Sequence, residues 1–186
     1  DAINALKDIP DIINKRAKLL KAAGKASIAG MEAEFPRYVV VLDEAAEFFL
    51  ASGGTLNDRD VGREILSRVA RQGRSLGIHL VVATQRPDSR ALDPQIKANL
   101  TGVLCFRMVN DASSISVIGN GRATEIDDVP GRALWKRGAN IVEVQTPLME
   151  DATLKALLTP FRVSGPGLDT RPLIMPAIPS RYQPLQ

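Results

Sequence analysis

The stretch Tyr38-Val39-Val40-Val41-Leu42-Asp43-Glu44 decides how this chain is read. Its aliphatic run carries no polar residue, which is the pattern of a strand covered on both faces in a parallel sheet. It stops at two adjacent carboxylates. Downstream, residues 52–58 are polar and Gly-containing and read as a loop. Residues 59–76 carry Val61, Ile65, Val69 and Leu76 at helical spacing, with Gln72 in the same series, and Gly77 ends the helix. A second aliphatic strand over 78–84 then closes on Thr84-Gln85-Arg86-Pro87. A short helix over 94–99 and a third strand over 102–108 continue the alternation. Strand, helix, strand, helix, strand points to an α/β domain with right-handed crossovers.

The flanks fit that core. Upstream, Ile9, Ile12, Ile13, Leu19 and Leu20 follow helical spacing, with a start at Asp8 before Pro10 and a stop at Gly24. Lys15, Arg16, Lys18 and Lys21 read as its solvated basic face. After the third strand, Asp111 reads as the N-cap of a helix through Ile118. Residues 133–145 read as a hairpin turning at Arg137-Gly138-Ala139-Asn140. A helix over 151–158 follows. Residues 160–186 hold Pro160, Pro166, Pro172, Pro176, Pro179 and Pro184, six of the twelve prolines, and a density that excludes helix and central strand makes this an extended tail or linker.

Composition narrows the classes. The 186 residues suit one domain with a real core or part of a larger one, and the first residue, Asp1, suggests a segment of a longer polypeptide. No secretory signal is visible, and the run from Val39 through Leu42 is too short to span a bilayer. With one Cys and one His, neither a disulfide framework nor a classical zinc site is available. A net charge of +3 neither requires nor opposes a nucleic-acid partner.

The chemistry concentrates at the strand ends. A hydrophobic strand closing on Asp-Glu is the Walker B pattern of nucleotide-hydrolysing motors, because ligands of open parallel sheets bind beyond the carboxyl ends of the strands. Asp43 there can hold the water shell of Mg²⁺, and Glu44 can orient and polarise an attacking water. A strand that merely ends in two acids is the bland alternative. Gln85, with Thr84, ends the next strand, where an amide reaches a γ-phosphate or the lytic water; capping before Pro87 is the alternative. On the helix, Arg63, Arg71 and Arg74 fall opposite the apolar stripe. That is either a solvated basic face or a guanidinium offered to a neighbouring subunit as an arginine finger.

RVARQGRSLGIHLVVATQRP (68–87), followed by IKANL (96–100), Phe106-Arg107, the helix after Asp111, GRALW (131–135) and the closing helix, resembles the signature segment of FtsK/SpoIIIE-type motor ATPases. The resemblance runs in order from about Arg16 to Leu158. It implies a RecA-like P-loop NTPase core: an α/β fold with a mostly parallel sheet flanked by helices, here with a C-terminal β-hairpin and a Pro-rich tail. It also implies ATP and Mg²⁺ as cofactors, a homo-oligomeric ring, usually hexameric, and translocation of double-stranded DNA. By matching position, Asp43 resembles the Mg²⁺-coordinating acid, Glu44 the catalytic glutamate, Gln85 the polar sensor beside Thr84, and Arg74 the finger acting in trans. His79 lies inside the signature among apolar neighbours and reads as a core or strand-edge residue. Arg86, Arg90 and Lys97, just beyond the sensor strand, are candidates for DNA phosphate contacts, with ordinary surface charge as the alternative. Aromatics, at 4% of residues, do not interleave with them, which argues against base stacking.

One part of the family pattern is missing. No Gly-x-x-x-x-Gly-Lys-Ser/Thr occurs; Gly24-Lys25-Ala26-Ser27 and Gly119-Asn120-Gly121-Arg122 imitate it without being able to cradle a triphosphate. Residues 1–159 are therefore expected to be the C-terminal half of a motor domain whose P-loop half lies elsewhere, with 160–186 as its tail. The expected location is cytoplasmic, at the inner face of the cell membrane through parts outside this chain. Two further readings keep the fold: a motor whose cargo is secreted protein, as in type VII-like secretion, and a non-catalytic scaffold.

Overall fold

The computed structural model describes residues 6–31, 35–50, 56–86 and 92–161. The chain divides into two compact units, one built from residues up to Leu100 and one from Thr101 onward. Among the described residues no helix is long and apolar enough to cross a membrane.

The first unit runs α1 (Ile9–Ala22), β1 (Tyr38–Leu42), α2 (Ala45–Leu50), α3 (Leu56–Leu76), β2 (Ile78–Val82) and α4 (Pro94–Asn99). β1 and β2 pair in parallel, from Tyr38 opposite Ile78 to Leu42 opposite Val82. α1 has Pro10 in its first turn, where the missing N–H is no loss, and stops before Gly24, whose φ of +62° few other residues tolerate. Its Ile9, Ile12, Ile13 and Leu20 pack with Ile65, Leu66, Val69 and Leu76 of α3 in one core. α3 starts at Leu56, so 56–58, expected in the loop, are helical. α2 is a helix the sequence reading passed over; it begins with the Ala45 N–H donating to Ala83 O at 2.9 Å, which ties it to the end of β2.

The sharp passage from α3 to β2 depends on two glycines. A Cβ on Gly73 would lie 2.3 Å from Ile78 O. Gly77 turns the chain at φ +70°, and a Cβ there would meet Ile28 Cδ1 at 2.2 Å.

β1 departs from the expectation of burial on both faces. Tyr38, Val40 and Leu42 pack against the core, whereas Val39 and Val41 are 62% and 64% exposed and Val81 of β2 is 50% exposed. The aliphatic run matches a two-faced interior strand, and one of its faces is bare.

Arg16 corrects the reading of a uniformly solvated basic face. Lys15, Lys18 and Lys21 are exposed, but Arg16 is only 1% exposed. Its Nη1 donates to Leu76 O and its Nη2 to Pro36 O, each at 2.6 Å. The guanidinium carbon lies 4.6 Å from the Tyr38 ring centroid and 5.7 Å from that of Phe35. Leu76 ends α3, so its carbonyl lacks an intrahelical partner and sits at the negative end of the helix dipole. One cation therefore joins α1, the end of α3 and the entry to β1. Arg63, also expected on the outer face, is half-buried with its guanidinium 5.5 Å from the Phe49 ring.

The second unit comprises β3 (Val103–Phe106), α5 (Asp111–Ile118), a 3-10 turn (Arg122–Thr124), β4 (Arg132–Arg137), β5 (Asn140–Gln145) and α6 (Asp151–Leu158). Its sheet is antiparallel in the order β3-β4-β5. The third strand thus joins the hairpin instead of pairing with β2, with Val103 opposite Lys136 and Phe106 opposite Ala133. The pairing sets Cys105 beside Leu134, and both pack with Ile118, Ala123 and Ile126. The cap of α5 is Asn110, whose side chain accepts from Ser113 N at 2.9 Å, one residue before the expected Asp111. The hairpin turns where expected, at Gly138 with φ +61°. Residues 162–186 of the tail lie outside the described residues.

Replacing Arg16 by Leu leaves the buried Leu76 carbonyl and the partly buried Pro36 carbonyl without their donors. It should lower unfolding free energy by about 3 kcal/mol, read from urea denaturation midpoints. A loss under about 1 kcal/mol would show that Arg16 is a passenger.

Candidate functional site

The C-terminal ends of β1 and β2 meet at a single carboxylate. Glu44 Oε1 accepts from Thr84 Oγ1 at 2.5 Å and from Ala46 N at 3.1 Å, and Oε2 accepts from Gln85 N at 3.0 Å. The parallel register places Leu42 opposite Val82, so the residues just beyond each strand fall side by side. Thr84 Oγ1 also accepts from Arg86 N at 3.0 Å, which fixes the hydroxyl in a tight turn.

These donors hold the Glu44 carboxyl below the usual glutamate range. The Thr84 hydroxyl contributes most, then the Gln85 and Ala46 backbone N–H groups; slight burial opposes them, and the positive charge of Arg86 adds a little. Glu44 is thus ionised at neutral pH. A carboxylate offers about four lone-pair directions. The described residues take three and leave one on Oε2, beside the Gln85 donor.

Asp43 precedes it, exposed, and makes no side-chain hydrogen bond or ion pair among the described residues. No group of three or more His, Cys, Asp or Glu gathers anywhere among the described residues. Among the described residues Mg²⁺ could be held only through a water on Asp43, which would leave most of its ligands to other groups. Mg²⁺ bound there would neutralise phosphate charge.

The sequence-predicted residues fall into two groups. Asp43, Glu44, Thr84 and Gln85 come together at one end of the strand pair. Gln85 is exposed there, with its backbone N–H bound to Glu44 and its side-chain amide hydrogen-bonded to none of the described residues. Arg86 follows, also exposed; Lys97 is half-buried on α4, and Arg90 lies outside the described residues. Arg74 does not join them. It lines a cleft with Arg37, Arg71 and His79, at the N-terminal ends of the strands. Five paired residues separate the two ends, roughly 15 Å or more. Within one copy of the chain Arg74 thus stays away from Glu44. Sequence reading missed Arg37 as a member of this second group. The available signal was the register: if Tyr38 pairs with Ile78, then Arg37 lies near His79.

Residues 26–89 match the model of the FtsK/SpoIIIE family. A DNA translocase FtsK of Bacillus cereus is 27% identical over 139 residues, which cover 67% of this chain and 17% of the relative. The chain thus spans about a sixth of the length of that curated relative. Among solved structures, the pCW3 conjugation coupling protein TcpA, in its monomer form with ATPγS, superposes with a TM-score of 0.70. It is 33% identical, covering 77% of this chain and 43% of TcpA. The cytoplasmic domain of the type VII secretion ATPase EccC from Thermomonospora curvata gives a TM-score of 0.66 at 23% identity, covering 88% of this chain and 20% of EccC. At that identity the EccC likeness is one of fold.

Because the Thr84 hydroxyl favours the ionised form of Glu44, Thr84→Val should raise the Glu44 pKa toward the ordinary glutamate value. The sign follows from removing a donor to the charged state. In the parent chain the clamp persists above the unfolded glutamate pKa and is released as pH falls through the lowered folded value; in the variant it is released at higher pH. Carboxyl carbon NMR titration of Glu44 checks this, and an unmoved titration would contradict the assigned hydrogen bond.

Proposed function

We propose that this chain, whose residues 26–89 match the FtsK/SpoIIIE family, is the Walker B and sensor half of a motor that couples ATP hydrolysis to movement of double-stranded DNA. Its α/β fold is the RecA-like core of such motors, and members of the family are ATPases. The observation that carries the reading is the fixed, ionised Glu44 at the ends of two parallel strands, between Asp43, unpartnered among the described residues, and an exposed Gln85.

Each residue has a derived task. Glu44 accepts a hydrogen bond from the attacking water through the free lone pair of Oε2 and draws its proton. Thr84 and the Gln85 backbone keep that carboxylate from rotating, so its aim does not depend on the nucleotide. The Gln85 amide, on the same tip, can bond both a γ-phosphate oxygen and the water. Asp43 holds the water shell of Mg²⁺.

The triphosphate cradle comes from a P-loop half outside residues 1–159. The bare face of β1, with Val39 and Val41 exposed, supports this, because an aliphatic face of that kind is expected to be covered. Arg74, remote from Glu44 in its own copy, acts on the phosphate of a neighbouring protomer, which requires a closed ring; six copies are the proposed number. DNA as cargo is favoured by the relatives named DNA translocase and conjugation coupling protein. Arg86, Arg90 and Lys97 are the proposed phosphate contacts.

ATP turnover by the longer protein that carries this chain, measured with and without duplex DNA, tests the proposal. Duplex DNA should stimulate turnover, and Glu44→Gln should lower it by about a hundredfold or more. Turnover indifferent to duplex DNA would remove the DNA cargo, and turnover surviving in Glu44→Gln would remove the site. The 186-residue chain alone should show none with MgATP; robust activity would overturn the half-domain reading.

A further inference from the structure

The antiparallel sheet of the second unit presents apolar side chains on both faces. Cys105 and Leu134 share one face, packed with Ile118 of α5 and with Ala123 and Ile126. On the other face Leu104, Trp135 and Val142 stand directly opposite one another across β3, β4 and β5, and Phe106, Ala133 and Val144 form the next row. Leu104, Phe106, Trp135 and Val142 are 39% to 49% exposed. Large apolar residues exposed side by side, unlike ones scattered singly, mark a surface that something covers. The indole at its centre is already seated. A Cβ on Gly102 would lie 2.4 Å from the Trp135 ring, so the ring rests against bare backbone.

The same chain holds a matching ligand. Residues 172–179 read Pro-Leu-Ile-Met-Pro-Ala-Ile-Pro, with no charged residue. Proline at this density favours polyproline II, which has little entropy left to lose on binding and which aromatic-lined surfaces recognise. Proline has no N–H to donate, so such a segment is a poor addition to a sheet edge and binds through its side chains. At three residues per turn Leu173, Pro176 and Pro179 fall on one edge, about 9 Å apart. β3 and β5 lie roughly 10 Å apart, on either side of β4. A ribbon laid across the strands therefore sets successive edge residues over Leu104 and Val142, with the indole of Trp135 between them. The connection is long enough. Leu173 follows Phe161 by twelve residues, which span about 40 Å when extended, whereas a unit of roughly 60 residues has a radius of gyration of about 10 Å.

We propose that the face formed by Leu104, Phe106, Trp135 and Val142 is a docking surface for the chain's own residues 172–179, bound as a polyproline II ribbon with Leu173, Pro176 and Pro179 toward the sheet. The ribbon covers the face that α5 does not. The proposal is independent of the nucleotide chemistry at Glu44.

Trp135 is the one tryptophan of the chain and reports on its own face. The test is its emission and its quenching by acrylamide in the 186-residue chain, in the parent and in a variant carrying Leu173→Asp with Pro176→Asp. The variant should emit further to the red and be quenched more strongly, because charge on the ribbon edge expels it from the indole. Leu185→Asp, outside the segment, should change neither. A synthetic peptide of residues 170–181, which contains no Trp or Tyr, should bind the variant saturably and reverse the shift. Identical emission and quenching in parent and variant, or a peptide without effect, would overturn the site. A difference that grows with protein concentration would place the ribbon on another copy and overturn docking within one chain. No nucleotide enters the measurement, so its outcome and that of the Glu44 reading are separately visible.

Discussion

The carboxylate of Glu44 is the constraint on which the site depends. A two-stranded parallel pair has little to fix the relative height of its tips beyond its own ladder, and the residues after each strand are free to diverge. Glu44 prevents this by accepting from Ala46 on its own side and from Thr84 and Gln85 across the gap. The same bonds that join the tips also hold the group ionised and aimed. Structural and chemical roles therefore reside in one side chain: positioned by donors on the protein, it keeps one lone pair for something outside it.

The other end of the strand pair is built with the opposite charge. Arg16, buried, closes the packing of α1 against α3, and beyond it Arg37, Arg71 and Arg74 line one hollow. An acidic end and a basic end on one unit form a directed pair of surfaces. Surfaces of this kind associate head to tail rather than face to face, and a head-to-tail contact that closes on itself makes a ring. The charge layout of the first unit is compatible with the ring proposed from the placement of Arg74.

Much of this was legible in the sequence, for local reasons. The Val39–Leu42 run ending in Asp43-Glu44, and the second strand ending in Thr84-Gln85, announce themselves by continuous apolar residues and an abrupt polar stop, and the structure brings those ends together. What was not legible is set by distance or by what lies outside the chain. Its spacing from Ile12, Ile13 and Leu20 puts Arg16 on the apolar stripe, unlike Lys18, but its partners are 60 and 20 residues away and nothing local names them. The four-residue β3 gives no sign of which neighbour it pairs with, and the hairpin partner claims it. The six residues of α2 are too few for a periodicity to emerge. The aliphatic pattern of β1 describes the burial the strand is suited to, not the cover present, which is why Val39 and Val41 stand exposed. Asn110 and Asp111 are both good caps, and only geometry chooses between them.

The most direct measurement is a structure of the longer protein assembled with ATPγS. The account predicts the γ-phosphate at the joined tips, beside Glu44 and Gln85 of one protomer and within reach of Arg74 from the next. A nucleotide seated away from the ends of β1 and β2, or a Glu44 carboxylate turned into contacts that leave no lone pair toward it, would contradict the account.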